Sequence, residues 1–211
     1  MYNLNDKIVF ITGGAIGIGA IAVKLFLEEG AKHVTITDVN VNAGKQLEKE
    51  LETKFKGRVK FIKCDVRNDA ELFDIYKTII DDHGFIDVVI NNAGILNDSS
   101  AIYRTALNIN IAQENYEKTG VKVMTMCYGA TDTSLLSKEK IKPFDEELTD
   151  ELCDFIKTFP LQSANSAATG LIDACKRGDS GSIWLVNNNK PVEDITPVVK
   201  KAYGLLTDLV V

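Results

Sequence analysis

The chain is predicted to adopt an α/β fold, a Rossmann-like doubly wound parallel sheet, on three observations. Short apolar runs alternate with amphipathic segments through the front half, a rhythm that gives parallel strands joined by right-handed helical crossovers. The first run, Ile8-Val9-Phe10-Ile11, opens directly onto Thr12-Gly13-Gly14-Ala15-Ile16-Gly17-Ile18-Gly19. With 211 residues, 45% of them apolar and 26% charged, the chain suits one domain with a sizeable core, so a single domain over 1–211 is expected.

The elements follow in order. Ile8–Thr12 is a buried strand, and residues 20–29 form a helix stopped by Gly30. Residues 34–37 make the second strand, ending at Asp38. Residues 42–55 carry Ala43, Leu47, Leu51 and Phe55 at a four-residue interval, one helical stripe. Residues 59–64 are the third strand. Residues 69–82 are a helix expected to turn Leu72, Phe73, Tyr76, Ile79 and Ile80 inward. Residues 88–90 are the fourth strand, running into Asn91-Asn92-Ala93-Gly94. Later, 121–127 is a strand, 163–177 a helix stopped by Gly178, and 182–186 the last strand. Between them, 135–160 is long, charged and weakly periodic, and reads as a lid over a site.

Composition narrows the function. A net charge of −6, with Lys and Arg spread along the chain, argues against nucleic acid as a partner. Cys64, Cys127, Cys153 and Cys175 are far apart and form no C-x-x-C. With only His33 and His83 besides, no metal site is expected. Scattered cysteines with apolar neighbours read as reduced and intracellular. The polar residues 1–7 and the short apolar run after them suit neither a signal peptide nor a membrane span, so a cytoplasmic protein is expected.

Strand, glycine turn and helix, in that order, make a dinucleotide cradle. Glycines let the backbone approach a pyrophosphate, and the helix start offers unpaired N–H groups and a positive dipole end. The spacing G-x-x-x-G-x-G departs from G-x-G-x-x-G but works in the same way. Asp38 stands nineteen residues past Gly19, where a carboxylate accepts from the ribose hydroxyls and repels a 2′-phosphate, favouring NAD. Its plainer reading is a helix cap or turn residue. His33 and Lys32 precede the strand and are not placed to serve a 2′-phosphate. Asp65 stands where it can receive the adenine amino group or simply cap the next helix. Asn91 and Asn92 suit pinning of neighbouring strands, and Gly94 suits close approach of a cofactor.

Thr12-Gly13, Gly17-Ile18-Gly19, Asp38, Asp65-Val66 and Asn91-Asn92-Ala93-Gly94, in this order and spacing, resemble the short-chain dehydrogenase/reductase family. Gly129-Ala130-Thr131-Asp132-Thr133 and Gly181-Ser182-Ile183-Trp184 resemble its NAD-dependent branch, which contains 15-hydroxyprostaglandin dehydrogenase and insect-type alcohol dehydrogenases. The resemblance implies an NAD(H)-linked oxidoreductase of secondary alcohols or ketones. It implies cofactor contacts at Thr12, Gly13, Gly17, Ile18, Gly19, Asp38, Asp65, Val66, Asn92, Ala93 and Gly94. By the same resemblance Thr131 and Thr133 lie by the nicotinamide carboxamide, 135–160 is the substrate lid, and Asn110 aligns with the active-site Asn.

After Ile111 the pattern breaks. The family continues with a strand ending in the catalytic Ser and a helix opening on Tyr-x-x-x-Lys. Here residues 112–120 already resemble the tail of that later helix, so a strand-plus-helix unit, on the order of 30 residues, is missing. No tyrosine has a lysine four residues on: Tyr2, Tyr76, Tyr103, Tyr116, Tyr128 and Tyr203 meet Asp6, Ile80, Leu107, Gly120, Asp132 and Thr207. Tyr128 also stands where the family usually has a proline. An unassisted tyrosine, with pKa about 10, is ionised in roughly one molecule per thousand at pH 7. Losing acid–base assistance costs on the order of 10²–10⁴ in rate. Ser99, Ser100, Tyr116 and Tyr128 are the candidate stand-ins, though surface or packing roles suit them better.

Joining the two helix remnants predicts one helix over 102–119 and a six-stranded sheet in order 3-2-1-4-5-6, one interior strand fewer than the family. The family's dimer helices are altered by the same loss, which leaves the oligomeric state open. Three functions compete: an NAD-dependent oxidoreductase with impaired catalysis, a non-catalytic NAD-binding or interaction protein, and a splice or gene-model product without function.

Overall fold

The computed structural model describes residues 1–94, 116, 120–136, 154 and 158–208. Two compact units are distinguished: Tyr2–Ile95 with Thr133–Leu135, and Leu96–Asp132 with Leu136–Val211 and Met1.

The first unit is a Rossmann-like parallel sheet of β1 (Ile8–Thr12), β2 (His33–Asp38), β3 (Val59–Lys63) and β4 (Val88–Asn91), in order β3-β2-β1-β4. Ile-Val-Phe-Ile-Thr of β1 is buried throughout, as an interior parallel strand requires. Register places Thr12 beside both Thr37 and Asn91, and Asp38 beside Lys63. The carboxyl ends of the four strands therefore share one edge. The chain order reverses at β1, between β2 and β4, which is the switch point where ligands bind such sheets.

Helix α1 (Gly17–Glu28) buries Gly19, Ala22, Val23, Phe26 and Leu27, one stripe at helical spacing. It ends at Gly30 (φ 92°), and the Arg58 guanidinium donates to the Leu27 and Ala31 carbonyls there. Helix α2 (Val41–Glu52) is capped by the Asn40 side chain, which accepts from Ala43 N at 3.1 Å. Helix α3 (Asp69–His83) starts with a reciprocal cap: Asn68 Oδ1 accepts from Glu71 N, and Asn68 Nδ2 donates to Glu71 Oε1. Its inward face corrects the expectation. Ile75 and Ile79 are buried against Ile8 and Phe10, whereas Phe73 and Ile80 are exposed.

In the second unit β5 (Thr125–Tyr128) pairs in parallel with β8 (Ile183–Val186), and β8 pairs antiparallel with β9 (Glu193–Asp194). A two-residue bridge joins β6 (Thr131–Asp132) to β7 (Gln162–Ser163). Helix α4 (Ala164–Arg177), capped by Ser163, lies against β8 where Gly170 has no room for a side chain beside Val186. A further helix, α5 (Thr196–Asp208), was not expected. The predicted strand 121–127 is a strand only from Thr125.

The expected strand order is described in two parts, one in each unit. It is found as 3-2-1-4 and, separately, as the pair of fifth and last strands. Both β4 and β5 are four residues long, and among the described residues each makes its ladder with one neighbour, β1 or β8. The predicted helix 102–119 and most of the lid 135–160 lie outside the described residues. No described helix is long and apolar enough to cross a membrane.

Candidate cofactor site

The glycine turn is shaped by bonds to the two strands beside β1. Gly14 N donates to Thr37 O at 3.2 Å, tying the turn to β2. On the other side the buried Thr12 hydroxyl accepts from Asn92 N and Ala93 N, each at 3.1 Å. The Asn92 amide returns the tie by donating to the carbonyls of Thr12 (3.2 Å) and Gly13 (2.9 Å). The strand-pinning role expected of Asn92 is what its side chain performs, while Asn91 is the exposed last residue of β4.

Three glycines are required by close packing. At Gly13 (φ 63°) a Cβ would stand 2.7 Å from Ala93 Cα, at Gly14 2.7 Å from the Ile36 methyl, and at Gly19 2.7 Å from the Asn92 amide nitrogen. Gly17 differs. It holds a left-handed φ of 59°, yet a Cβ there would meet nothing nearer than the Thr133 methyl at 3.5 Å. Thr133 thus stands at ordinary van der Waals distance from the first residue of α1, without the crowding found at the other three glycines. The residue before Gly17, Ile16, is extended and its side chain does not cap the first-turn N–H groups, next to the half-buried Ile18. A glycine-opened helix start with no side-chain cap fits an anionic pyrophosphate.

Asp38 closes the adjacent side at the end of β2. Its Oδ2 accepts from Ala15 N at 3.2 Å and its Oδ1 from Asn40 N at 2.9 Å. Ionised carboxylates offer about four acceptor positions, so two bonds fix the group and leave capacity for hydroxyl donors. His33 lies at the opposite end of β2. Beyond Asp38 and Asp65, Val39 and Val66 are exposed apolar side chains in the loops after two neighbouring strands, a pairing suited to the faces of a planar base. Sequence reasoning named Val66 and missed Val39, whose signal was its place directly after Asp38.

Asp65 is engaged. Arg67 donates to it through its backbone N, Nε and Nη2, and this fork holds the carboxyl down at about 2. Sequence reasoning also missed Arg67, for which the signal was the Asp-x-Arg spacing. Lys63 is paired with Glu71 at 3.2 Å. Gly94, exposed beyond Ala93, would bring a Cβ no nearer than 4.0 Å to Asn92 O among the described residues.

Thr131 and Thr133 fall in different units. Thr133 reaches Gly17, whereas the buried Thr131 donates to Gly129 O and accepts from Gln162 Nε2 at 3.0 Å. Asn110, Ser99 and Ser100 lie outside the described residues. Tyr116 is exposed, and burial pushes the Tyr128 phenol upward, away from phenolate. Cys64, Cys127 and Cys175 are free thiols, and among the described residues no three His, Cys, Asp or Glu side chains form a metal group.

The family model for short chain dehydrogenase matches residues 7–113. The NAD(+)-named 15-hydroxyprostaglandin dehydrogenase of Macaca fascicularis is 36% identical over 110 residues, covering 52% of this chain and 40% of that protein. Short-chain dehydrogenase reductase 3c of Arabidopsis thaliana is 44% identical over 93 residues, 44% of this chain and 34% of that one. These matches span less than half the length of either relative. The Mus musculus 15-hydroxyprostaglandin dehydrogenase aligns at 25% identity over 265 positions, covering 95% and 98% of the two chains. Among solved structures, L-sorbose reductase from Gluconobacter frateurii, complexed with NADPH and L-sorbose, superposes with a TM-score of 0.71 over 89% of this chain and 98% of that one at 17% identity, a likeness of fold.

Proposed function

The chain belongs to the short chain dehydrogenase family, and from that premise we propose that it binds NAD(H) at the glycine turn while its hydride-transfer chemistry is impaired. The carrying observation is the glycine start of α1 at Gly17, with no side-chain cap from Ile16, and the Asp38 carboxylate beside the same turn. In this reading the α1 N–H groups hold the pyrophosphate, Asp38 takes the ribose hydroxyls, and Thr133 lies toward the nicotinamide. The bound nicotinamide would accept or donate hydride at a secondary alcohol or ketone.

Preference for NAD rests on Asp38. A 2′-phosphate about 4 Å from it would meet repulsion of roughly 1–4 kcal/mol per unit charge between bulk-water and protein-surface screening. Lys63, beside Asp38 in the strand register, is engaged by Glu71 at 3.2 Å. Impairment is supported by the absence of any Tyr-x-x-x-Lys and by the upward shift of the Tyr128 phenol. The 265-position alignment, longer than the 211-residue chain, also favours an internal gap. The same observations favour a second reading, a non-catalytic NAD-binding or interaction protein.

A titration with NADH, read by enhancement of its fluorescence, tests the proposal against a Gly17→Trp control. Saturable binding that the control loses is expected, and a flat titration at high cofactor would reject both readings. NADH formation from a panel of secondary alcohols, above the control's level, would reject the non-catalytic reading.

A further inference from the structure

Among the described residues, Asp65 is a candidate cofactor ligand whose carboxylate is already engaged by another side chain. Oδ1 receives Arg67 N and Arg67 Nε, both at 3.0 Å, and Oδ2 receives Nε at 3.1 Å and the Nη2 donor. Three N–H donors from one residue, the Nε–H shared between both oxygens, thus engage most of the roughly four lone-pair positions of a carboxylate. Asp65 N is meanwhile fastened to Glu71 Oε2 at 3.2 Å, within the cap of α3, so the backbone bearing the carboxylate is fixed. Arg67 is the more exposed partner: its side chain is 86% exposed against 28% for Asp65.

We propose that Arg67 is a built-in competitor for the adenine amino group, occupying Asp65 in the free protein and giving way when adenine enters. The inference rests on the dinucleotide reading above and adds a residue that tunes it. Displacement is cheap because the pair is open to water. Exposed ion pairs are worth little, so removing Arg67 should improve adenine recognition only roughly 1.5- to 5-fold. Selectivity for the base is the informative quantity. Hypoxanthine carries a carbonyl where adenine carries the amine, so it has nothing to donate to Asp65 and gains nothing when the carboxylate is freed.

The test compares NADH with its reduced hypoxanthine analogue by nicotinamide fluorescence, for the unaltered chain, Arg67→Ala and Asp65→Ala. Both positions are at the surface, and far-UV circular dichroism checks that the variants are folded. Loss of a surface cation weakens both dinucleotides alike, so it cancels in the ratio of their affinities. The expected result is that Arg67→Ala raises the adenine-over-hypoxanthine ratio about 1.5- to 5-fold while Asp65→Ala does not raise it. A ratio unchanged or lowered in Arg67→Ala overturns the inference and leaves the cradle intact. Failure of the unaltered chain to bind either dinucleotide overturns the cradle and this inference together.

Discussion

His33 gives the sharpest test of the first unit, because the perturbation is pH alone. It begins β2 with 8% of its surface exposed, and its Nε2 is buried with no hydrogen-bond partner in the structure. The His83 ring at the end of α3 lies over it, centroids 4.4 Å apart and tilted by 36°. Burial is the main reason the imidazolium is disfavoured, and proximity of His83 adds to it. The Gly57 backbone and Asp82 oppose the shift, Lys60 adds to it, and the balance leaves His33 at about 4 instead of 6.5. With the folded value below the unfolded one, the unfolded chain takes up the proton first as pH falls. The stabilisation is whole above about pH 6.5, drains between 6.5 and 4, and is gone below. At 1.36 kcal/mol per unit the ceiling is about 3 kcal/mol, and by pH 5 about 2, or 1–2 after allowing for solvent screening. Two histidines in the chain make the assay clean. One imidazole resonance should titrate near 4 by proton NMR, and a neutral His33→Phe variant should lose about 1–2 kcal/mol less stability than the parent between pH 7 and 5 in urea unfolding followed by circular dichroism. A His33 resonance titrating at 6.5 or above, or parallel losses in the two proteins, would refute the reasoning.

Three further outcomes are expected. Gly13→Ala places a Cβ against Ala93 at a left-handed φ, and should cost about 2–4 kcal/mol of stability in urea unfolding along with most NADH affinity. Asn92→Ala removes both amide donations to the turn carbonyls, so a loss of about 1–2 kcal/mol and weaker NADH binding are expected, the latter read by fluorescence. Asp38→Ala should narrow the preference for NADH over NADPH by roughly tenfold or more, measured by competitive titration; an unchanged ratio would remove Asp38 from cofactor choice.

What was legible in the sequence was whatever one local pattern decides. Ile8 to Ile11 can only be an interior parallel strand, and the glycines after it can only be a turn that packs closely. Adjacent apolar pairs were not decidable. Leu72-Phe73 and Ile79-Ile80 each set two large side chains about 100° apart on a helix, and one stripe cannot take both. The register that seats Leu72 and Ile79 inward also seats Ile75 and exposes Phe73 and Ile80. Val121 and Val123 look like strand residues, but the β8 ladder that makes a strand begins at Thr125, and both valines are exposed. Helix α5 was hidden by Pro197, which suits a helix's first turn, where Asp194 accepts from the backbone N of Thr196. The Arg67–Asp65 fork had only the Asp-x-Arg spacing as its signal, and that spacing by itself does not fix how an exposed side chain folds back.

The bonds that shape the cradle are why the proposed reading separates cofactor binding from turnover. Gly14 to Thr37, Ala15 to Asp38, Asn92 to Thr12 and Gly13, and Ala93 to Thr12 all close between residues 12 and 93. None needs a partner from beyond that stretch. On the proposed reading, a strand-plus-helix unit missing after residue 111 would therefore leave every one of these bonds in place. The donors that would hold a dinucleotide are backbone N–H groups and a helix dipole, and neither carries a proton to or from the reacting oxygen. Acid–base assistance is a separate contribution, worth on the order of 10²–10⁴ in rate, and it enters through side chains of another segment. A chain that keeps the first set without the second is expected to bind NADH at ordinary affinity while its turnover falls by that factor. Equal losses in binding and in turnover would mean that the two are physically coupled after all.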